Sequence, residues 1–447
     1  MAGFASTRTA LSWGRVLRPR QFVAKPLFQE ELAAAVREGV QRFGNGVLAR
    51  GLGRSYGDSN LNDEGGLIDG TGLAGILSFD AATGLLHAEA GMTLEGIIAF
   101  ALPQGFFLPV TPGTKFVTLA GAIANDVHGK NHHSAGTIGC WIEEIGLLRS
   151  DGSAHRLVPG DELFAATVGG LGLTGIITEV KLRLRRVASS RLDAETLPMG
   201  NLSDFFALAE ESGKSHEYTV AWIDCLASGA SLGRGLFTRA NHAADGPMDV
   251  STRKGPNVPL EAPGFLLNRW SITAMNTAYY ELGRRKAGVK RVGYDSYFYP
   301  LDGVRNWNRL YGRRGMYQYQ SVVPPEVSAD ATVAMLREIA KAGQGSFLVV
   351  LKTFGASASP GMLSFPMDGT TLALDFPNRG ASTLALLARL DAIVREAKGR
   401  LYPAKDGRLP PDTFEAGYPL LERFRAHRDP GISSSFWRRM EGTVAAG

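Results

Sequence analysis

The stretch from Thr111 to Gly139, TPGTKFVTLAGAIANDVHGKNHHSAGTIG, constrains this chain more than any other. Glycines and small residues alternate with threonines, and then three histidines, a lysine and an asparagine fall within the six positions 128–133. A packed core has no use for that composition. Glycine at positions such as Gly113 and Gly121 lets the backbone approach a bound group closely, and exposed backbone N–H groups in such turns form concavities that suit a pyrophosphate. The stretch predicts the place where a cofactor is held and substrate meets it. Two further glycine-rich segments, GLGRSYGD at 51–58 and ATVGGLGLTG at 166–175, lie in the same first part of the chain.

A chain of 447 residues is long for one hydrophobic core, which predicts two domains. With 44% hydrophobic and 20% charged residues it has the composition of a soluble globular protein. No apolar run reaches the length of about 18 residues that a membrane span needs. The opening MAGFASTRTALSWGRVLRPR has no long apolar centre or cleavage site, so it does not read as a signal peptide and a cytoplasmic protein is expected. The net charge of +5 is too modest to argue for nucleic acid. Cys140 and Cys225 are far apart and lack metal-ligand spacing, so neither a disulfide nor a zinc site is expected. His128, His132 and His133 have a two-histidine helical spacing, but Gly129, Asn131 and Gly136 break the helix that would present them to a metal.

Helical periodicity covers 28–42, and a short strand follows at 47–50. LIDG, ILSFD and LLHAEAG read as closely spaced antiparallel strands, and 94–102 as a short helix. Asp151-Gly152 marks the turn of a β-hairpin. From 186 to about 400, strands (YTVAWIDC, SYFYPL, YQYQSVVP, SFLVVLKTFG, TLALDFP) alternate with two long helices, DATVAMLREIAKAG and STLALLARLDAIVREAKG. That is an α+β pattern around a sheet. Residues 239–264 lack periodicity and read as a long loop. Short helices after Tyr402 are expected to pack back on the first domain.

GLGLTG at 170–175 is a literal GxGxxG, but the β-branched residues after it form a strand, whereas a Rossmann turn opens a helix. GLGRSYGD lacks the Gly-Lys-Ser/Thr ending of a P-loop. Lys352 and Lys405 sit beside apolar strand residues; each taken alone reads as a solvated lysine.

Taken together, GLGRSYGD, then PGT-x6-GAIA-x-D-x-HGKNHHSAG-x-x-G, then ATVGG-x-GLTGII resemble the FAD-binding domain of vanillyl-alcohol-oxidase-type flavoproteins. Within that type the motifs resemble the decaprenylphosphoryl-ribose 2′-oxidases, the flavin half of a ribose-to-arabinose epimerase pair. The likeness runs nearly end to end, through LSWGR at 11–15, AWID at 221–224, QYQ at 318–320, LKTFG at 351–355, LDFP at 374–377 and AKDGR at 404–408. The resemblance implies an α+β, two-domain flavoprotein. Residues 1–185, completed by 400–447, would form the FAD-binding domain, and 186–399 a substrate-binding cap with an antiparallel sheet. It also implies FAD-dependent oxidation of the 2′-hydroxyl of a polyprenyl-phosphoryl ribose, with a short-chain dehydrogenase as the reducing partner. The runner-up activity is a sugar-alcohol or aldonolactone oxidase that uses oxygen; a third reading is a non-catalytic flavin-binding relative.

Carried over residue by residue, the resemblance gives cofactor contacts at Gly53, Arg54, Ser55, Tyr56, Gly57, Pro112, Gly113, Thr114, Thr118, Gly121, Ala122, Asn125, His128, Gly129, Ile177 and Lys405. Lys405, Tyr56, His128 and Lys352 are the catalytic candidates, and Gln318, Gln320, Lys352, Thr371 and Ala373 are expected to face the substrate. A desolvated Lys405 would act as a base; a charged one would orient the phosphate or stabilise negative charge on the flavin. Many relatives attach FAD through a histidine in the first glycine-rich loop. This loop has Arg54, Ser55 and Tyr56 instead, so FAD is expected to be non-covalent. Thr371, Ala373 and Tyr299 depart from the asparagine, cysteine and histidine common in those relatives. The basic run from Arg284 to Arg314 has two readings: a solvated surface, or a patch for anionic lipid headgroups that would make the protein peripheral on the inner membrane.

Overall fold

The computed structural model describes residues 3–252 and 255–442. Residues 5–183 build two small sheets. Ala5–Thr7, Gln21–Ala24, Gly66–Asp69 and Val47–Arg50 lie side by side in that order, the last three mutually parallel. The helix Gln29–Arg42 buries Leu32, Ala35 and Val36 against them. A second sheet is wholly antiparallel, in the order Ile76–Asp80, Leu85–Glu89, Ile176–Arg183, Ile142–Leu148, Ala154–Leu157. The Asp151-Gly152 turn does join its last two strands; Gly152 has φ +88°, as a left-handed hairpin position requires.

Phe106–Phe107 and Arg185–Arg186 form a two-stranded ribbon, and the largest sheet has eight antiparallel strands, ordered Gly288–Gly293, Arg191–Met199, Gly235–His242, Tyr218–Ile223, Val349–Phe354, Gly369–Pro377, Met316–Val323, Arg400–Leu401. Successive strand residues point to opposite faces, and the two faces have different fates. Ala221, Ile223, Phe237, Tyr319, Leu351, Leu372 and Leu374 are buried in one core with the helices Leu202–Gly213, Ser328–Ala342 and Ala381–Glu396. The opposite face carries Gln318 and Gln320, Thr371, Ala373 and Asp375, and Lys352, and these line a cavity.

Two sequence expectations fail locally. SYFYPL does not form a strand: Tyr294–Phe298 is one turn of helix. Its aromatic rings satisfy a cluster with Phe107, Tyr218 and His242 rather than a ladder, so β propensity lost to packing. The segment 239–264 is not all loop, since Gly235–His242 is a full strand of the large sheet; within it, residues 253 and 254 lie outside the described residues. The C-terminal segment forms the helices Pro411–Gly417, Leu421–Arg425 and Ser435–Met440. It reaches the first sheet at Val47, whose carbonyl accepts from Ser433 N at 3.0 Å.

Candidate active site

A single cavity of about 1170 Å³ runs between the glycine-rich turns and the polar face of the large sheet. Ligand pockets usually span roughly 300–1,000 Å³, so there is space for a dinucleotide and a second ligand together. Every residue assigned by resemblance lines this cavity except Gly57. Gly57 instead backs onto the loop that carries Lys405: a Cβ there would lie 1.4 Å from Asp406 O. Tyr56 N donates to Ala404 O at 2.9 Å, Trp13 N to Ser55 O at 2.8 Å and Gly14 N to Tyr56 O at 3.2 Å. Three segments far apart in sequence are thereby stitched into one wall.

The cradle side has the donors and the space that a dinucleotide needs. Arg54 Nε, Ser59 Oγ and both amide atoms of Asn60 are buried without a hydrogen-bond partner, and all three residues line the cavity. Buried polar atoms rarely stay unpaired, so these call for a polar ligand. The Arg54 guanidinium is held over the Trp13 ring at 4.1 Å, which orients its donors. Gly53 has φ +66°, a turn open to glycine, and a Cβ on it would meet Arg50 Nη2 at 2.3 Å. At Gly113 a Cβ would meet nothing within 4 Å, so the backbone there faces open space. This donor-rich, glycine-lined surface fits the pyrophosphate and polyol of FAD.

The chemistry side is organised around His128, which is buried. Lys352 Nζ lies 3.2 Å from His128 Nδ1 and donates to Gly129 O at 3.2 Å; the Gln320 carboxamide lies 3.1 Å from His128 Nε2. Burial and the neighbouring Lys352 push the imidazole well below its ordinary pKa, so the ring is neutral. A neutral ring accepts at one nitrogen only. Gln320 Nε2, which also donates to Thr371 Oγ1, faces His128 Nε2, and Lys352 Nζ faces Nδ1. The Thr371 hydroxyl, 3.3 Å from the carboxamide, completes the set.

Lys405 stands 4.4 Å over the Tyr56 ring. Desolvation lowers its pKa to about 8 against the pull of Asp375. Desolvation and the charges of Lys130 and Lys405 lower Lys352 to about 7. Desolvation likewise lowers Lys130 to about 7 and raises Asp375 to about 7. Lys130 and Asp375 were not singled out from the sequence. Period-two alternation with Thr371 and Ala373 would have found Asp375, and Lys130 sits inside HGKNHH. Gln318 Nε2 donates to Asp375 Oδ1 at 2.7 Å, which leaves Gln318 Oε1 buried and unpartnered. His132 packs on Phe354 with ring centroids 4.4 Å apart and accepts from Gly355 N at 3.3 Å; His133 Nε2 lies 3.0 Å from His216 O. Both rings are used inside the protein. Tyr299 is buried and its hydroxyl lies 2.6 Å from Thr111 Oγ1, so it holds the opening stretch rather than facing substrate.

Residues 20–158 match the family model described as FAD binding domain. Decaprenylphosphoryl-β-D-ribose oxidase of Mycolicibacterium smegmatis is 35% identical over 98% of this chain and 98% of its own length. An uncharacterized protein in the mprA 5′ region of Streptomyces coelicolor is also 35% identical, covering 78% of this chain and 100% of its own. An alditol oxidase of a Streptomyces species is 25% identical over 38% of this chain and 40% of its own. The near-complete match, laid over a cavity that joins a dinucleotide cradle to a ring of lysines, shows that the chain belongs to the decaprenylphosphoryl-β-D-ribose oxidase family.

Proposed function

We propose that this protein is the FAD-dependent enzyme that oxidises the 2′-hydroxyl of a polyprenyl-phosphoryl-β-D-ribose to the 2′-keto sugar. That is the first half of an epimerisation to an arabinose donor for the cell envelope. The observation that carries the reading is the convergence of Lys130, Lys352 and Lys405 on the same cavity as the cradle. Three lysines facing Asp375 across one cavity outnumber it, and that excess of positive charge suits a phosphorylated substrate. Residues 1–185, closed by 400–447, hold the cofactor in this reading, and 186–399 cap it.

Bound in the cradle, FAD supplies the acceptor for the hydride that leaves the sugar carbon. The protein does the rest. Lys405 Nζ, when neutral, takes the proton of the reacting hydroxyl. Gln318 Oε1, fixed through Asp375, accepts from a sugar hydroxyl. His128 orients Lys352 through Nδ1, and Lys352 with Lys130 holds the phosphate. Asn125, Thr118 and Arg54 bind the cofactor, and Thr371 and Ala373 shape the sugar side of the cavity. The keto product needs a hydride donor on its other face, which is the task of a separate short-chain dehydrogenase.

No helix among the described residues is long and apolar enough to cross a membrane. Membrane contact would therefore be peripheral. Part of the basic run is already engaged: Arg291 pairs with Asp193 and Asp245, and Arg309 donates to the carbonyls of Val258 and Pro259. Arg285 and Lys286 remain exposed at the C-terminal end of the helix Arg269–Arg285, and Trp270, 81% exposed, stands at its N-terminal end.

Anaerobic bleaching of the flavin tests the proposal, with polyprenyl-phosphoryl ribose in anionic and in neutral vesicles beside free sugars and polyols. Stoichiometric bleaching by the phosphoribose alone, faster from anionic vesicles, is expected. Bleaching by a free polyol with peroxide formation in air would replace the proposal with the sugar-alcohol oxidase, and no bleaching at all would leave a binding protein. On acid precipitation the yellow colour is expected in the supernatant, because the 51–58 loop offers no histidine or cysteine for attachment. A yellow pellet would overturn that.

A further inference from the structure

We infer that the groove between the helix Arg269–Arg285 and the large sheet holds the polyprenyl chain; this rests on the substrate class proposed above. The helix is unusual for its length. Of its 17 residues only Ile272 and Asn276 are buried, while Met275, Tyr279 and Leu282 are 45%, 55% and 55% exposed. Single exposed apolar residues need no explanation, but these three recur at i, i+4 and i+7 and so form one stripe. The stripe does not face open solvent: all three residues line the cavity that contains His128 and Lys352.

The opposite wall is the sheet face that carries the polar cluster, followed outward strand by strand. The register places Val350 beside Trp222, Trp222 beside Leu236, and Val220 beside Thr238. Across the same face the lining thus changes from Asp375, Gln318 and Lys352 to Val350, Trp222 and Leu236. An amphiphile with an anionic sugar-phosphate head and a hydrocarbon tail matches that order in one orientation only. The helix is set at a fixed height above this wall. Asn276 Nδ2 donates to Asp224 Oδ1 at 3.0 Å and to Ser346 O at 3.2 Å, and a Cβ on Gly283 would lie 2.1 Å from Leu236. Tyr279 meets Trp222 with ring centroids 4.6 Å apart. The helix is thus pinned to the apolar floor at Tyr279 and Gly283, and beside these contacts Met275 and Leu282 line the cavity that continues to the reaction site.

The test compares polyprenyl-phosphoryl riboses of short and long chain with wild-type protein, Leu282→Asp and Met275→Asp; both positions are exposed, so folding should survive. In the wild type KM should fall with chain length. In each variant that advantage should shrink by about tenfold, since a carboxylate in the groove costs at least the burial of an isoprene methylene or two, while kcat and the short-chain KM stay unchanged. Long-chain prenyl phosphate without sugar, titrated by tryptophan fluorescence, should bind the wild type and bind both variants more weakly. This arm needs no turnover, so it holds even if the sugar assignment fails. Undiminished chain-length preference and prenyl-phosphate affinity in both variants would overturn the inference. So would a change in oligomeric state in place of a change in prenyl affinity, which would make the stripe a protein interface.

Discussion

Lys405→Met is expected to lower kcat by about 10³-fold while FAD remains bound, the size of effect seen when a positioned base is removed. The lysine reaches the cavity on a loop fixed from both sides, and its pKa of about 8 leaves a working fraction of neutral amine at neutral pH. Deprotonation makes the base, so kcat for wild type should rise as pH increases through about 8 and then level, while KM for the phosphoribose should rise as Lys130 and Lys352 lose their charge above about 7. The groups facing Lys405 set the position of that limb. Asp375, with a pKa of about 7, becomes anionic as pH rises and holds the lysine proton; Lys352, also near 7, loses its charge and ceases to oppose it. The titration therefore belongs to the group and not to one residue. Lys405→Arg separates the two roles. A guanidinium cannot deprotonate here, so a base at this position predicts that arginine is as inactive as methionine. An arginine variant that retains a large part of kcat would assign the residue to phosphate orientation instead. Single-turnover bleaching and the flavin content of each purified variant are the measurements.

The second large effect concerns stability. Arg439 is buried and donates to both oxygens of Asp58, at 2.8 and 2.9 Å, to Asp406 Oδ2 at 3.3 Å, and to the Leu409 carbonyl. Arg439→Met leaves two buried carboxylates without their cation, a loss of about 3–5 kcal/mol. Thermal unfolding should therefore start several degrees lower. The sign of its pH dependence is fixed. Burial already raises Asp58 against the pull of Arg439. Without the arginine, the folded state holds its proton more tightly still than the unfolded chain. Stability of the variant is then fullest below the unfolded carboxylate pKa and is lost as pH rises through the raised folded value. The deficit relative to wild type should shrink in mild acid. Adding Asp58→Asn and Asp406→Asn should recover part of it; a triple variant as weak as the single one would show that packing, not charge, is responsible.

Much of the site was legible because it obeys short-range rules. Gln318 and Gln320 share a strand face by alternation, as do Thr371 and Ala373, and the glycine-rich turns announce themselves by composition. Asp375 escaped notice because an aspartate before Phe-Pro at the end of an apolar strand looks like a strand terminator. The helix Arg269–Arg285 is marked in sequence by the i, i+4, i+7 recurrence of Met275, Tyr279 and Leu282, but that periodicity does not tell that the stripe faces a groove and not a core. The turn at Tyr294–Phe298 was misread as a strand because aromatic residues favour both strands and clusters. Nothing local could reveal the tie between Asp58 and Arg439, which are 381 positions apart.

That tie has a consequence for how the protein is made. The first glycine-rich loop is synthesised well before the helix Ser435–Met440 that clamps it, whose Arg439 lies 381 positions beyond Asp58. Until then Asp58 has no cation, and the Lys405 loop lacks the Arg439–Asp406 contact. The amino-terminal portion must wait in an unfinished form, with its cradle incomplete, until that helix arrives. Contacts of such long sequence separation form slowly, and a waiting intermediate is exposed to aggregation. A cradle completed only by this distant contact should capture flavin late in folding, and production of the holoprotein should respond to flavin supply at that stage.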